Sequence, residues 1–495
     1  MLKIGWSTRD VSTNAPVLIG GQACERISIG SKDPTTITVL VLDDGKDSVI
    51  FLSGDFTAFR DGLILEVKEA VSKANPAIDP TKIILNATHT HTAPRYALTT
   101  GYDKAPRHGV TIFPPEKYRA FLLENMVSAV CEAYETRSAG SVAYGFSTAE
   151  IAVQRRCVYF NDKGANNTAA NTFAVHGHGM MYGKTDLDDF SGYEGCTDAT
   201  VSLLFTFDET ENLTGAIVNV PCPSQCTEHE VFTSADYWNE ARAYIREKYG
   251  NIFILPQCAA AGDLSPHRLH QKDALKRRNR LKFPGEEEKA AEFSRPVEYY
   301  NRKVLGERIA AAFDEGYSWA KNEKLYELPI VHKTVTVPLE AWKLTDAEYE
   351  NAKNNYEALL KKPFQVTDDP LADHKVNTTL SANLSRYETI IERYEKNVDF
   401  YDTELHVLKL GDIAFASCPF ELYLDYQHRI QGRSPFEQVF MIQLAATSSP
   451  VGGYLPTEKA VKNKGYSAIS FSCSVSPQGG QTLVETVLSV MREIR

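Results

Sequence analysis

Two histidines placed two residues apart are the most informative feature of the sequence. His89 and His91 follow the apolar run Ile83-Ile84-Leu85, which has the composition of a buried strand. Side chains two apart in an extended chain point the same way, so we expect both imidazoles on one side of the strand end. Neutral imidazole is a common metal ligand and titrates near neutrality. The pair therefore indicates a metal site or an acid–base site, although two structural histidines would give the same pattern.

Two further segments place a reactive side chain at the end of an apolar run. Arg155 is suited to clamp a carboxylate or to stabilise an oxyanion, although a surface charge pair with Arg156 is the simpler interpretation. Cys222 follows a strand-like run and is flanked by prolines. A thiolate there would serve as a nucleophile or a zinc ligand, whereas a buried thiol would be inert.

Three more segments carry hydroxyl or carboxylate groups in similar positions. Ser265 lies in the small-residue turn Gly262-Asp263-Leu264-Ser265-Pro266, where serine is commonly a cap and becomes a nucleophile only with a base or a metal. Glu421 follows a strand and a proline. Tyr454 and Tyr466 lie in a glycine-rich stretch, and tyrosines are usually packing residues. None of these residues defines a site alone.

The elements around these residues predict a mixed α/β (α+β) fold. Strand-like runs at 35–42 and 48–52 precede a helical pattern at 61–74, and 407–417 reads as a hairpin with a Gly-Asp turn. The segments 270–325 and 343–398 are helical insertions that are expected to cap a pocket. No repeat or linker divides the chain, so we predict a single domain over residues 1–495.

Composition excludes several classes of protein. The chain is 43% hydrophobic and 24% charged, with a net charge of −11 and no broad basic surface, so nucleic acid is not an expected partner. No apolar run reaches the length of a transmembrane segment, and the N-terminus lacks a secretory signal. Nine scattered cysteines are typical of a reducing cytosol. We therefore expect a cytoplasmic protein.

Taken together, the motifs resemble the neutral/alkaline (non-lysosomal) ceramidase family, zinc amidases that hydrolyse the N-acyl bond of ceramides. The matching motifs occur in the family's order and cover residues 1–490, the catalytic region. They are Ala87-Thr88-His89-Thr90-His91-Thr92-Ala93-Pro94, Gln154-Arg155-Arg156, Gly262-Asp263-Leu264-Ser265-Pro266, Pro419-Phe420-Glu421-Leu422 and Gly453-Tyr454-Leu455-Pro456-Thr457. The resemblance implies a large catalytic domain whose sheets are flanked by helices.

The resemblance implies one zinc ion per chain, with His89, Glu421 and Tyr454 among its ligands. The family's remaining ligand is a histidine, and the alignment puts Cys222 at that position. Cysteine binds zinc, so a working site with a softer ligand is expected, and a lost metal site with metal-free chemistry is the alternative. Other histidines in the neighbourhood would be substitutes for the missing ligand: His176, His178 and His229.

The same resemblance implies catalytic roles for four side chains. Ser265 stands at the family's active-site serine, and His91 would stabilise the reacting carbonyl. Arg155 and Tyr466 would contact the substrate or the oxyanion, with Arg156 as an alternative to Arg155. A bound cation would polarise the carbonyl or lower the pKa of a bound water to about 7, and the arginine and tyrosine would oppose the developing charge.

The resemblance also departs from ceramidases in features that concern the substrate. The resemblance leads us to expect the catalytic region without the family's C-terminal β-sandwich domain and without an export signal. The leading hypothesis is a metal-dependent hydrolase that cleaves an amide (N-acyl) or related bond of a small-molecule or lipid-like substrate. A lyase or isomerase acting on a polar, sugar-like substrate and a non-catalytic ligand-binding protein are the alternatives. Assembly into a homo-oligomer is compatible with the sequence.

Overall fold

Strands and helices alternate along the chain, as the hydrophobic pattern predicts. The computed structural model describes residues 1–107, 109–163, 177–449 and 451–495. The strands of these residues are β1 Lys3–Asp10, β2 Leu18–Ile19, β3 Arg26–Ile27, β4 Thr36–Asp43, β5 Ser48–Gly54, β6 Ile83–Ala87, β7 Ser138–Thr148, β8 Val153–Gln154, β9 Arg156–Tyr159, β10 Gly179–Met181, β11 Phe190–Tyr193, β12 Thr200–Asp208, β13 Leu213–Val220, β14 Phe253–Cys258, β15 Leu264–Ser265, β16 Ile330–Glu340, β17 Phe400–Leu410, β18 Ile413–Ser417, β19 Glu421–Leu422, β20 Gln438–Ile442 and β21 Tyr454–Leu455. The helices are α1 Leu63–Ala74, α2 Pro115–Glu135, α3 Tyr237–Tyr249, α4 Lys272–Lys282, α5 Glu287–Ala291, α6 Pro296–Ala320, α7 Asp346–Leu360, α8 Pro370–Lys396, α9 Leu424–Arg433, α10 Glu458–Asn463 and α11 Pro477–Ile494.

The centre of the molecule is an eight-stranded mixed sheet in the order β14-β13-β12-β7-β1-β4-β5-β6. Its two outer pairs, β13–β14 and β5–β6, are parallel, and the inner pairs are antiparallel. A second sheet has the order β16-β17-β18-β20. The carboxyl ends of β6 and β13 matter for function because the segments that follow these two strands meet, with the Ser224 N–H donating to the Thr88 carbonyl at 3.3 Å.

The two sheets pack face to face through an apolar layer. Strand β4 shows why: Val39 and Val41 point towards helices α1 and α2, whereas Leu40 and Leu42 point towards the second sheet. A strand that is apolar on both sides is buried on both sides. Aromatic rings from both sheets meet in the layer between them, and the rings of Phe51 and Phe415 are tilted with their centroids 5.0 Å apart.

Helices cover the outer faces of the two sheets. Helices α1 and α2 pack on one half of the large sheet, and α3 and α6 pack on the other half. Helix α11 covers the second sheet through its contacts with β16 and β17. This arrangement of sheets flanked by helices confirms the predicted mixed α/β fold.

Helices α7 and α8 form an antiparallel pair inserted between the long paired strands β16 and β17. Their ends are encoded locally. Thr345 and Glu348 form a capping box at the start of α7, and Asp369 caps α8 just before Pro370. The pair corresponds to the predicted insertion at 343–398, and α4 to α6 lie within the one predicted at 270–325.

The hairpin predicted at 407–417 also forms, since β17 and β18 are joined at Gly411-Asp412. Gly411 has a φ of 57°, a conformation that glycine adopts without strain. Among the helices of the described residues, none is long and apolar enough to cross a membrane.

Candidate functional site

Several strand ends open onto one cavity of about 850 Å³. His89 and His91 follow β6, Arg155 follows β8, and β19 and β21 contribute Glu421 and Tyr454. The parallel pairing of β19 with β21 sets Glu421 directly beside Tyr454. Residues from distant parts of the chain therefore line a single site.

The two histidines meet because the chain turns between β6 and the next segment. His89 has a φ of 67°, in the left-handed region, so the backbone is not extended at this point. The rings lie edge to face with centroids 4.8 Å apart, and their Nε2 atoms are 3.4 Å apart. Gly21 packs against them, and a Cβ there would come within 2.8 Å of the His91 ring. The imidazoles thus lie together through a strained turn and not through strand alternation.

Hydrogen-bond partners define which ring nitrogens carry protons. His89 Nδ1 lies 2.6 Å from the carbonyl of Thr57, which only accepts, so Nδ1 carries a proton and Nε2 is the nitrogen that faces His91 and Glu421. The Gln225 amide oxygen faces Arg155 Nη1 at 3.4 Å, which directs its Nε2 to donate to His91 Nε2 at 2.8 Å. Burial lowers the pKa of His91 well below its ordinary value, so His91 is neutral.

Glu421 places a carboxylate against these rings. Its Oε2 lies 3.3 Å from His89 Nε2 and 3.7 Å from Arg155 Nη2. Burial alone would raise the pKa of Glu421, but positive charge at His89, Arg155 and Arg60 outweighs it and lowers the pKa to about 2. His89 Nε2 therefore faces an anionic oxygen of Glu421, with His91 Nε2 3.4 Å from the same nitrogen. A proton on His89 Nε2, or a metal ion in its place, would bridge the imidazole and the carboxylate.

Arg155 is the charged donor of the cavity. The side chain is buried and donates to the Gly262 carbonyl at 2.8 Å, to the Tyr182 hydroxyl at 3.0 Å and to the Tyr454 hydroxyl at 3.4 Å. Burial alone would lower the pKa of Arg155, but Tyr182, Tyr454 and Glu421 outweigh it, so the pKa rises well above its ordinary value. The guanidinium is thus permanently charged and held in a fixed orientation.

Arg156 points to the opposite side of its strand. Its guanidinium forms an ion pair with Glu194 and donates to the carbonyls of Lys464 and Tyr466. It does not line the cavity. The structure therefore places Arg155, not Arg156, at the site, while Arg156 anchors the loop that carries Tyr466.

The two tyrosines form one wall of the cavity. The rings of Tyr454 and Tyr466 lie edge to face with centroids 5.6 Å apart. Burial raises the pKa of both hydroxyls, and for Tyr454 the neighbouring Glu421 adds to the effect. Without a bound cation both hydroxyls keep their protons and are hydrogen-bond donors.

Ser265 lies behind the cavity wall. The residue is fully buried in strand β15, its hydroxyl accepts the backbone N–H of His267 at 3.1 Å, and it does not line the cavity. Asp263 of the same motif accepts from Gln154 Nε2 and from the backbone N–H of Leu424, at the start of α9. In this structure the motif connects β8 to α9 and supports the site from outside.

Cys222 is also outside the cavity. Its thiol lies in the apolar core and donates to the carbonyl of Ile151 at 3.2 Å. Burial and the neighbouring Cys258 raise the pKa of Cys222 well above its ordinary value, so the sulfur is a neutral thiol. The structure does not bring Cys222 to His89, Glu421 and Tyr454.

The three histidines considered as substitute zinc ligands differ in their positions. His229 lines the cavity and its Nδ1 lies 2.9 Å from Glu298, whose pKa burial raises to about 7. His178 bonds the carbonyl of Tyr159 and does not line the cavity. His176 lies outside the described residues.

Several cavity residues were not singled out from the sequence, among them Arg60, Tyr182, Gln225, Glu228 and Arg386. Glu228 lies on the far side of His91, with its Oε2 3.6 Å from His91 Nδ1. Gln225 lies only three positions after Cys222, so the sequence pointed to this segment. Nothing in the sequence indicated that the Gln225 side chain faces the cavity. Arg386 comes from helix α8, and its sequence neighbourhood carries no motif.

The fit of the donors to a zinc ion can be judged from their chemistry. His, Cys, Asp and Glu side chains in the described ranges form no group of three that would hold a metal. A third donor is available only if the Tyr454 oxygen joins His89 and Glu421. Those three side chains fit a catalytic zinc site, which has three protein ligands and one open position. The Thr57 carbonyl accepts from His89 Nδ1 and so orients the imidazole, as metal-bound histidines require. Cys222 does not fit as a fourth ligand.

Comparison with known proteins identifies the fold. No protein-family profile and no curated protein matches the chain. The neutral ceramidase from Pseudomonas aeruginosa matches with a TM-score of 0.64 and 16% identity over 99% of this chain and 75% of that chain. A ceramidase complexed with C2 matches with a TM-score of 0.64 and 15% identity over 100% and 75%. The chain therefore has a neutral-ceramidase-like fold, which confirms the resemblance seen in the sequence.

Proposed function

We propose that the chain is a hydrolase that cleaves an amide (N-acyl) bond or a related bond. The observation that carries the proposal is the convergence of His89, Glu421, Arg155 and two tyrosines on one cavity in a neutral-ceramidase-like fold. Acyl transfer requires fixed positive charge and hydrogen-bond donors where the carbonyl oxygen becomes negative. The cavity presents both.

Arg155 and Tyr466 would oppose the charge that develops on the carbonyl oxygen. The guanidinium is charged at every physiological pH and is held by four oxygen acceptors, so it needs little reorganisation during the reaction. The Tyr466 hydroxyl retains its proton because burial raises its pKa, so it donates to an oxyanion. Donors of this kind typically contribute 10²- to 10³-fold to kcat, roughly 2.7–4 kcal/mol.

A zinc ion would be held by His89, Glu421 and Tyr454. When bound, it would supply a Lewis acid and a water whose pKa is about 7. His89 is oriented for this task by the Thr57 carbonyl, and the neutral His91 positions Gln225 through the bond between their side chains. Because Ser265 is buried behind the cavity wall, water and not the Ser265 hydroxyl would attack the substrate carbonyl.

Amine release from a panel of N-acyl compounds, including a short-chain ceramide and N-acyl amino acids, tests the proposal. We expect turnover of at least one amide, and a loss of about 100-fold or more in kcat/KM in Glu421→Gln. Glu493→Gln, an equal change at an exposed position of α11, is the matched control and should stay within about twofold. Release of neither amine nor acid, with the fold intact, would contradict a hydrolase and favour the lyase, isomerase or binding alternatives.

A further inference from the structure

Two arginines of the cavity have no carboxylate partner among the residues that the structure describes. Arg386, on helix α8, has its Nη1 buried without any hydrogen-bond partner in the described part of the chain. Arg60, in the loop before α1, is exposed at the rim and forms no ion pair there either. By contrast, Arg95 lines the same cavity and pairs with Glu25 at 2.6 Å and Asp103 at 2.8 Å. Buried donors without partners are rare and call for an explanation, and a missing ligand is one.

Helix α8 contributes Arg386 to the cavity, and the other lining residues on that face of the helix have small side chains. Ala382, Ser385 and Thr389 lie on the same helical face and also line the cavity. The guanidinium lies over the ring of Phe471, with its carbon 5.2 Å from the ring centroid. That contact stabilises the side chain without using its N–H donors, so the donors remain available to a bound molecule.

The lining of the cavity is mixed, with aromatic side chains and alanines beside charged groups. Among the described lining residues there is no leucine, isoleucine or valine. Burial of an alkyl chain draws its free energy from apolar contact, which this wall offers only in part. The cavity also has an acidic side, where Glu228 lies against His91 and accepts from Gln22. An anion would be repelled there and attracted to the side of Arg386 and Arg60.

We infer that the substrate is an amide that carries an anionic group, a carboxylate or a phosphate, bound by Arg386 with Arg60 at the rim. This inference rests on the proposed function and names its substrate class. Guanidinium groups recognise both anions through paired N–H donors. Arg386, Tyr466 and Arg155 line the same cavity, so an anion at Arg386 would leave the scissile carbonyl within the space that Arg155 also lines.

Calorimetric binding of matched compounds tests the inference. The probes are N-butyrylglycine against N-butyrylglycinamide, and N-butyrylethanolamine phosphate against N-butyrylethanolamine. We expect the charged member of one pair to bind at least about tenfold more tightly to the wild type, and the preferred pair distinguishes carboxylate from phosphate. In Arg386→Gln the preference should fall about tenfold or more, and Arg386→Lys should restore part of it. Lys375→Gln removes an equal charge from an exposed position of α8 and should leave the preference unchanged.

The outcomes separate the inference from the proposed function. Equal binding of charged and neutral members by the wild type, or an undiminished preference in folded Arg386→Gln, overturns the inference. If Arg386→Gln does not fold, Arg60→Gln takes its place, and an unchanged preference there has the same meaning. A charge preference without amine release overturns the hydrolase and leaves the anion site standing. Amine release without a charge preference overturns the anion site and leaves the hydrolase standing.

Discussion

A methyl group at position 262 would test whether the close approach of two loops sets the geometry of the site. The Gly262 backbone N–H donates to the Leu422 carbonyl at 2.8 Å, and the Gly262 carbonyl accepts from Arg155 at 2.8 Å. A Cβ added to Gly262 would lie 2.3 Å from the carbonyl oxygen of Glu421. In Gly262→Ala, the strand that carries the Glu421 carboxylate must therefore move away from Arg155.

The size of the effect follows from that overlap. Ordinary contact begins near 3.4 Å, so the two backbones must separate by about 1 Å. Both are buried and hydrogen-bonded, so the neighbours cannot absorb the displacement as a flexible side chain would. Overpacking of this kind costs about 1–3 kcal/mol of stability, and a misplacement of about 1 Å at a reacting centre costs about 100-fold in rate.

Two measurements check this expectation. Thermal unfolding should show a Tm a few degrees lower, and kcat/KM for the best amide should fall about 100-fold. Gly432→Ala is the control, because a Cβ there meets no atom within 4 Å and the position is helical, so it should gain about 0.5–1 kcal/mol with no loss of activity. A Gly262→Ala protein with wild-type Tm and kcat/KM would refute the argument that this contact holds Glu421 in place.

Three further predictions concern charge, metal and pH. Arg155→Met should lower kcat about 10²- to 10³-fold in steady-state kinetics, whereas Arg156→Met should mainly lower the Tm, because its ion pair is structural. Plasma mass spectrometry should find about one zinc per wild-type chain, none in His89→Ala, and an unchanged content in Cys222→Ala. Zinc lost from Cys222→Ala would contradict the placement of its thiol. Burial would raise the pKa of Glu404, but its hydrogen bonds to positive neighbours lower it to about 2. Its ionised form therefore stabilises the fold above pH 4.5, and the Tm difference between wild type and Glu404→Gln should shrink as the pH falls from 4.5 towards 2.

Much of the fold could be predicted from local patterns. The hairpin of β17 and β18 has a glycine at its turn, and α7 and α8 carry their own caps, so neighbours in the chain encode these elements. The sequence also singled out the segments that line the cavity, because reactive side chains at strand ends are unusual. It predicted α8 as an insertion but gave no reason to select Arg386.

The direction of individual side chains was decided by packing. Arg155 and Arg156 are adjacent, and a shift of one residue along a strand reverses the face on which a side chain lies. Cys222 and Gln225 lie three positions apart in one irregular segment, yet the thiol enters the core and the amide reaches His91. No local pattern distinguishes such neighbours, because their surroundings come from distant strands.

The sequence by itself determined the class of fold, the order of the elements and the set of segments that carry chemistry. Hydrophobic periodicity, caps and turn residues act over a few positions, so a linear pattern is enough to reveal them. Only the tertiary structure decided which side chains share the cavity, that Ser265 and Cys222 stay outside it, and that Arg386 enters it from an inserted helix. Those outcomes depend on contacts between residues more than a hundred positions apart, such as Gly262 against Glu421, which no local pattern records.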